Sequence, residues 1–237
     1  MFSRFKERSL KLERLDLGQY TPQEYERWHQ EMHFIHSIFG EKRALRRSLL
    51  REVATDRSAE VSVLDVGAGS GGLLRAIERK IVDRKSRLVA AELTSEAVAS
   101  ITKNENKSKV EPVQCNALNL PFADGSFDYV ISTLFLHHLN DNQATILFEE
   151  MGRVARRRFF VVDLNRSVAA YYLYKVLAFI FLQRFTRDDG ALSILRSFSR
   201  RELLELAKAA AVRNPRVHRS AAFRLVLSGG KGHAWYD

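Results

Sequence analysis

Apolar residues recur at two different periods along the chain, and one gives way to the other near residue 60. Before that point the spacing is helical. Tyr25, Trp28, Met32, Ile35 and Phe39 fall three or four positions apart, an apolar stripe that needs a surface to cover it. Thr21-Pro22-Gln23-Glu24 opens this segment with an N-cap, a proline at the first helical position and a glutamate placed to complete a capping box. Gly40 ends it, and a second helix is expected over 44–53. From Val61 onward, short β-branched or apolar runs alternate with helical segments. Strands are predicted at 61–66, 87–92, 110–114, 127–132 and 159–163, and helices at 73–81, 96–104 and 142–154. Such alternation builds βαβ units and a parallel sheet. Pro112 marks 110–114 as an edge strand, because proline cannot donate to a central ladder. Toward the end, Ser199-Arg200-Arg201-Glu202 opens a helix with another capping box. Two strand candidates follow, 216–219 and 223–227. The link between them is too short for a crossover and implies an antiparallel hairpin.

The expected fold is therefore α/β: a Rossmann-like, seven-stranded, mostly parallel sheet with an antiparallel C-terminal hairpin and a helical cap. Residues 1–55 would form the cap and 56–237 the sheet domain. The stretch 164–198 is longer than an ordinary connection in such a fold. It carries Tyr171, Tyr172, Tyr174, Phe179, Phe181 and Phe185, and its apolar run 168–182 is interrupted by Lys175. That run is too short to cross a bilayer. It reads as a packing helix covered on several sides, as a lid over a lipophilic substrate, or as a segment lying on a membrane surface with Lys175 snorkelling.

Charge narrows the choice less than it first suggests. The 237 residues include 38 Lys and Arg against 28 Asp and Glu, a formal net charge of +10. That excess suits nucleic acid, an anionic membrane surface or an acidic substrate, and equally suits plain solubility. Its densest cluster, Arg153, Arg156, Arg157 and Arg158, reads as a solvated helix end whose cations complement the helix dipole. A single cysteine, Cys115, permits no internal disulfide and no cysteine-based metal cluster, so no metal site is expected. Residues 1–17 lack the continuous apolar core of a secretory signal, and a cytoplasmic location is expected.

The candidate chemistry begins at Val63-Leu64-Asp65-Val66-Gly67-Ala68-Gly69-Ser70-Gly71-Gly72. A buried strand runs into glycines and then into a helix, a turn that brings backbone close to a ligand beside the positive helix end. Gly67, Gly69 and Gly72 also satisfy the dinucleotide fingerprint. Asp65 argues against that use. A carboxylate two residues ahead of the first glycine repels a pyrophosphate and attracts the ammonium of an amino-acid-bearing cofactor such as S-adenosylmethionine. The competing role for Asp65 is to cap the loop by accepting backbone N–H bonds. Glu92 stands 20 residues after Gly72 at the end of the second strand, where a carboxylate accepts ribose hydroxyls. Capping the next helix is its alternative, which Thr94 or Ser95 would do better.

Four motifs in register resemble the class I S-adenosylmethionine-dependent methyltransferases. They are Asp65-x-Gly-x-Gly-x-Gly, Glu92, the Leu-Pro-Phe-x-Asp-x-Ser-Phe-Asp that runs from Leu120 to Asp128, and Leu-His-His-Leu ending at Leu139. The similarity is to the subgroup acting on quinones and small natural products, and it covers 61–163 with a looser match at the hairpin. It implies the strand order 3-2-1-4-5-7-6 and S-adenosylmethionine as cofactor. It also implies cofactor contacts from Asp65, Gly67, Ala68, Gly69, Gly71, Glu92, Leu93, Asn116, Ala117 and Ser132. The family usually has aspartate where this chain has Asn116. The amide keeps an acceptor oxygen for the adenine but loses the charge.

The acceptor side is less marked. His137, after the fourth strand, is the candidate general base for a phenol-like nucleophile. Alignment on an already activated methyl is the competing account. His138, Tyr171, Arg187 and Asp189 are the candidate substrate contacts. Neither the Asn/Asp-Pro-Pro-Tyr element of nucleic-acid amino-methyltransferases nor a Pro-Cys pair occurs, which disfavours nucleic acid. Tyr171 and Lys175 match the Tyr-x-x-x-Lys of short-chain dehydrogenases, but the accompanying glycine loop is absent. The expected reaction is methylation, at oxygen in the first instance, of a small hydrophobic aromatic or polyketide-like acceptor. An RNA methyltransferase using the basic surface, a non-catalytic relative and an NAD-dependent oxidoreductase are the rivals. Nothing in the sequence fixes an oligomeric state.

Overall fold

Parallel strands buried on both faces need apolar residues at nearly every position, and the first strand has them. Val61, Val63, Leu64 and Val66 of β1 (Glu60–Val66) are all buried. In the computed structural model, which describes residues 3–38, 49–103 and 108–230, β1 pairs in parallel with β2 (Lys85–Glu92) and β4 (Phe127–Thr133). The edge strand β3 (Val110–Gln114) flanks β2 and holds Pro112 opposite Ala90. On the other side β5 (Ala155–Leu164) runs parallel to β4. The antiparallel pair β7 (Arg224–Gly230) and β6 (Arg216–Ser220) completes the order 3-2-1-4-5-7-6. This is the sheet that the motifs implied.

The period-two alternation of each strand feeds two separate cores. Leu64, Val66, Val89 and Val130 point to one face, covered by Leu147, Phe148 and Met151 of α5 (Asp141–Val154) and by Leu203 and Ala207 of α8 (Arg200–Ala209). Val63, Leu88, Ala90 and Ile131 point to the other. That face is covered by Leu49 and Val53 of α2 (Leu49–Thr55) and Leu74 and Ile77 of α3 (Gly72–Glu78). Helix α4 (Ser95–Lys103) contributes Ile101 to the same side. Burying side chains of this size stabilises by about 1.5–3 kcal/mol each.

The arginine cluster is not a solvated helix end. Helix α5 stops at Val154 and β5 starts at Ala155, so Arg156, Arg157 and Arg158 are strand residues. Arg156 and Arg157 both reach Asp128 Oδ1, at 2.6 and 3.0 Å, and Arg157 also pairs with Asp56 at 2.9 Å. Arg158 is buried and pairs with Glu52 at 3.1 Å. Arg153 ties the end of α5 to the loop before β4 through Phe122 O (2.7 Å), Leu120 O (3.0 Å) and Asp124 (2.9 Å). Proximity in sequence disguised these four as one patch. Arg153 also pairs with Glu150 on its own helix, but the carboxylate partners of the other three come from elsewhere in the chain.

The N-terminal region is helical only in part. After a 3₁₀ turn (Ser3–Phe5), residues 6–20 form an irregular strap that precedes α1 (Pro22–Ile38). Thr21 and Glu24 make the expected capping bonds, at 2.9 and 3.2 Å. Gly40, Phe39 and the start of the expected helix over 44–48 lie outside the described residues, as does Asn104. The long insertion is two helices, α6 (Val168–Phe181) and α7 (Arg184–Arg196), joined where the Tyr174 hydroxyl donates to Thr186 O at 2.7 Å. Helix α6 is not enclosed on several sides. It buries Ala170, Tyr171 and Ala178, while Val176, Phe179 and Ile180 are more than half exposed.

Candidate active site

The expected cofactor residues gather along the carboxyl ends of β1 to β4, where open α/β sheets bind ligands. Between β1 and α3 the backbone turns through left-handed conformations at Gly67, Gly69 and Gly71. Two of these turns have specific reasons. A Cβ at Gly67 would stand 2.9 Å from the ring of Phe135, so only glycine lets the loop pass under that side chain. A Cβ at Gly69 would meet no atom within 4 Å, so the loop presents open backbone there. Asp65 is buried at the end of β1, opposite Ala90 and Ile131 of the flanking strands.

Glu92 turns its carboxylate onto the glycine loop. Oε1 accepts the Gly69 N–H, and Oε2 accepts the N–H of Leu93 at 3.2 Å. Burial raises its pKa above the ordinary glutamate value against the pull of these two bonds. At the next strand end, Asn116 Oδ1 accepts the Leu118 N–H at 2.9 Å in an Asx turn, placing Ala117 beside it. Ala68 packs on one core, and the Leu93 side chain is exposed. Ser132, at the end of β4, is buried with no hydrogen-bond partner for its hydroxyl among the described residues.

These residues fit S-adenosylmethionine. Asp65 is a buried carboxylate suited to an ammonium, Glu92 is a second carboxylate suited to ribose hydroxyls, and Asn116 with Ala117 would meet the adenine. Gly69 leaves open space where a side chain would stand, and Ser132 offers a hydroxyl without a partner among the described residues, a group that is costly to leave unbonded.

Next to this edge lies a buried polar cluster built around the 3₁₀ turn Leu136–His138. Asp163, at the end of β5, holds His137. Its Oδ1 lies 2.8 Å from the ring Nδ1 and its Oδ2 accepts the His137 backbone N–H at 2.9 Å. Burial works to raise the Asp163 pKa. The attraction and hydrogen bonds of His137, with the Leu164 N–H, outweigh it and hold the carboxyl below the ordinary value. His138 has a matching partner from the strap, Asp16 Oδ1 at 2.9 Å from its Nδ1. Burial opposes ionisation of Asp16 too, but His138 and Arg196 prevail and bring it to about 2.

Arg196 of α7 binds the cluster together. It donates to the carbonyls of His137 (3.2 Å), His138 (2.9 Å) and Lys11 (3.0 Å) and pairs with Asp16 Oδ2 at 2.7 Å. Glu13 of the strap accepts from Ser193 Oγ at 2.8 Å and lies 3.9 Å from Arg196. Burial raises Glu13 to about 7. One ligating atom from each of Glu13, His137 and His138 lies within 4.8 Å of the others. The guanidinium of Arg196 is a cation already built into this group.

Three of the expected substrate contacts have other partners. Asp189 is buried, and its two oxygens accept the strap N–H groups of Arg14 (3.0 Å) and Leu15 (2.9 Å). This carboxylate fixes the strap, since a charged acceptor satisfies both amides at once. Tyr171 is buried against Phe5 and Arg4 and braces the 3₁₀ turn that precedes the strap. The Arg187 guanidinium stands 5.4 Å over the Phe179 ring. Sequence reasoning missed Glu13, Asp16, Asp163 and Arg196. Only Asp163 carried a local signal, its position at a strand end. The other three reach the site from segments whose own sequence shows no motif.

Residues 63–158 match a family of methyltransferase domains. Among curated proteins, the chain is 31% identical over 138 residues to an uncharacterised methyltransferase of Bacillus subtilis, covering 56% of this chain and 51% of that one. It is 32% identical over 144 residues to a ubiquinone/menaquinone biosynthesis C-methyltransferase of Hahella chejuensis, covering 56% of each. The chain thus spans about half the length of these relatives. A solved S-adenosylmethionine-dependent methyltransferase of Aquifex aeolicus shares the fold. Its TM-score is 0.56 at 19% identity, covering 83% of this chain and 96% of that one. Residues 63–158, which hold the glycine loop, Glu92, Asn116 and the histidine pair, are therefore similar to a methyltransferase domain, on a sheet that shares its fold with a solved S-adenosylmethionine-dependent methyltransferase.

Proposed function

We propose that the whole chain transfers a methyl group from S-adenosylmethionine to a small, largely hydrophobic acceptor, at an oxygen of a phenolic or polyketide-like compound. The observation that carries this reading is the meeting of two groups at one sheet edge. Asp65, the glycine loop and Glu92 form a cofactor cradle, and the Asp163–His137 pair stands after the neighbouring strands. When bound, the cofactor supplies a methyl group already activated by its sulfonium. The chain's own residues then have to hold the acceptor in line and take its proton.

His137 is equipped for the proton. With Nδ1 fixed by the Asp163 carboxylate, Nε2 is the ring nitrogen left to accept a hydroxyl proton from the acceptor. Asp163 stays ionised and stabilises the imidazolium that results. The strap residues Glu13 and Asp16 complete the cluster around the pair. Polar groups few in number and held in fixed positions suit an acceptor with a small polar head on an apolar body.

The RNA reading rests on net charge, and the densest run of cations makes ion pairs within the chain. Arg153, Arg156, Arg157, Arg158, Arg166 and Arg196 all pair with carboxylates of this chain. The densest run of arginines is thus already matched to carboxylates and is not a ready-made phosphate site. Transfer of label from methyl-labelled cofactor, screened against phenolic compounds and against total RNA at low and high salt, tests the proposal. Label in the phenolic fraction is expected. Label in RNA alone would end the small-molecule reading, and calorimetric binding of NAD without S-adenosylmethionine would end both.

A further inference from the structure

Helix α6 is apolar on two sides, and the fold uses only one of them. Ala170, Tyr171 and Ala178 face inward, while Tyr172, Leu173, Val176, Phe179 and Ile180 recur at helical spacing on the outside. Val176, Phe179 and Ile180 are 61%, 75% and 65% exposed, respectively. With Lys175 they line a shallow apolar concavity. Scattered surface hydrophobics are ordinary, but a contiguous stripe of this kind marks a contact. We propose that this face docks the protein on a lipid bilayer bearing anionic headgroups.

Charge and length select that occupant. Lys175 is the one charged residue in Val168–Phe181, and the helix has no acidic residue. Its ammonium lies 5.7 Å from the Tyr171 ring centroid, and the residue lines the apolar concavity, so its stem can cover apolar surface while its charge reaches toward headgroups. Arg187 stands over Phe179, and Arg184, 86% exposed by side chain at the start of the next helix, pairs with Asp188 at 3.6 Å. A second copy of the chain fits less well. Two-fold pairing through this stripe would bring Lys175 toward its own copy, with no acidic residue on the helix to answer it. The helix is about 21 Å long at 1.5 Å per residue, well short of the hydrocarbon thickness. No described helix is long and apolar enough to cross a membrane. It would lie in the plane of the surface, with its apolar side in the headgroup boundary.

The docking stands on this face alone and needs no methyl transfer. Its test is sedimentation of the full chain with vesicles of phosphatidylcholine, or of an equal mixture of phosphatidylcholine and phosphatidylglycerol. The protein should pellet with the mixed vesicles and much less with phosphatidylcholine alone. Lys175→Ala should weaken binding to the mixed vesicles about fivefold. The double variant Val176→Glu, Phe179→Glu should stay in the supernatant while melting like the parent, because both side chains are exposed. Calorimetric binding of S-adenosylmethionine should be the same in all these forms, which separates failure of the docking from failure of the enzymatic reading. A parent protein that ignores both vesicles, or a double variant that still pellets, overturns the proposal. So does a lipid-free parent dimer that the double variant converts to monomer, since the face would then be a self-interface.

Discussion

Asp163 grips His137 at two points, ring nitrogen and backbone amide, with both oxygens of one buried carboxylate. A side chain needing only to fill space would not require both. The arrangement fixes the ring's tautomer as well as its position, the task a carboxylate performs for a histidine that moves a proton. His137→Ala is expected to lower turnover about 10²-fold while leaving cofactor affinity in place. Asp163→Asn should lower turnover comparably, and the double variant should be little worse than either alone, since the two act as a unit. Labelled methyl transfer with calorimetry in parallel decides it. Full turnover in His137→Ala would mean that alignment alone drives the reaction.

The cofactor cradle makes a separate prediction. Asp65→Ala and Glu92→Ala should each weaken S-adenosylmethionine binding by about 1.5–3 kcal/mol, the value of a lost hydrogen bond to a charged group. Gly69→Ala is the more discriminating change. Its added methyl meets nothing in the protein, so folding bears only the left-handed backbone strain of about 1–2 kcal/mol. Loss of cofactor binding in a folded Gly69→Ala protein would place the cofactor against this loop. Unchanged affinity would remove the loop from the site.

What could be read in the sequence was what local pattern determines. Val61 to Val66 could only be a buried strand, and the short 220–222 link could only join antiparallel neighbours. Pro112 announced its edge position. The glycine loop and Glu92 were legible because turn geometry and a strand-end carboxylate leave local marks. The polar cluster was not legible, because its logic is non-local. Arg196 and Asp16 are 180 positions apart, and nothing near either predicts the other. The same holds for the arginines of β5. Three in a row, close to Arg153, looked like part of a solvated patch until Asp128, Asp56 and Glu52 arrived from elsewhere in the fold.

Asp128 yields a pH prediction. Burial would raise its pKa, but the hydrogen bond from Arg156 and the two from Ser62 outweigh that and hold it below the ordinary aspartate value. A carboxylate depressed in the folded state adds stability that is present above its unfolded pKa. That stability is lost as pH falls through the lower, folded value. Asp128→Asn should therefore cost about 1.5–3 kcal/mol near neutrality. The gap between parent and variant should close only in acid, below the ordinary aspartate range. Denaturant titrations at a series of pH values measure it, and a gap that stays constant into acid would show that Asp128 is not the titrating group.

The strap makes the last prediction, because it links the N-terminal segment to chemistry at the sheet edge. Residues 6–20 are held by Asp189 at Arg14 and Leu15, and by Arg8, which donates to Arg196 O at 2.7 Å and Leu139 O at 2.8 Å. Those ties set Glu13 and Asp16 beside the histidine pair. Asp189→Ala removes the acceptor of two strap amides while leaving every cofactor-edge residue untouched. Hydrogen exchange should speed up at the amides of Arg14 and Leu15 as the strap loosens. If Glu13 and Asp16 shape the acceptor site, turnover should fall, with a rise in KM for the acceptor and no change in S-adenosylmethionine affinity. The chemistry at His137 keeps its own partner, Asp163, so the loss should be smaller than in His137→Ala. Faster exchange with unaltered kinetics would reduce the strap to a brace, and the acceptor would then be recognised by other parts of the fold.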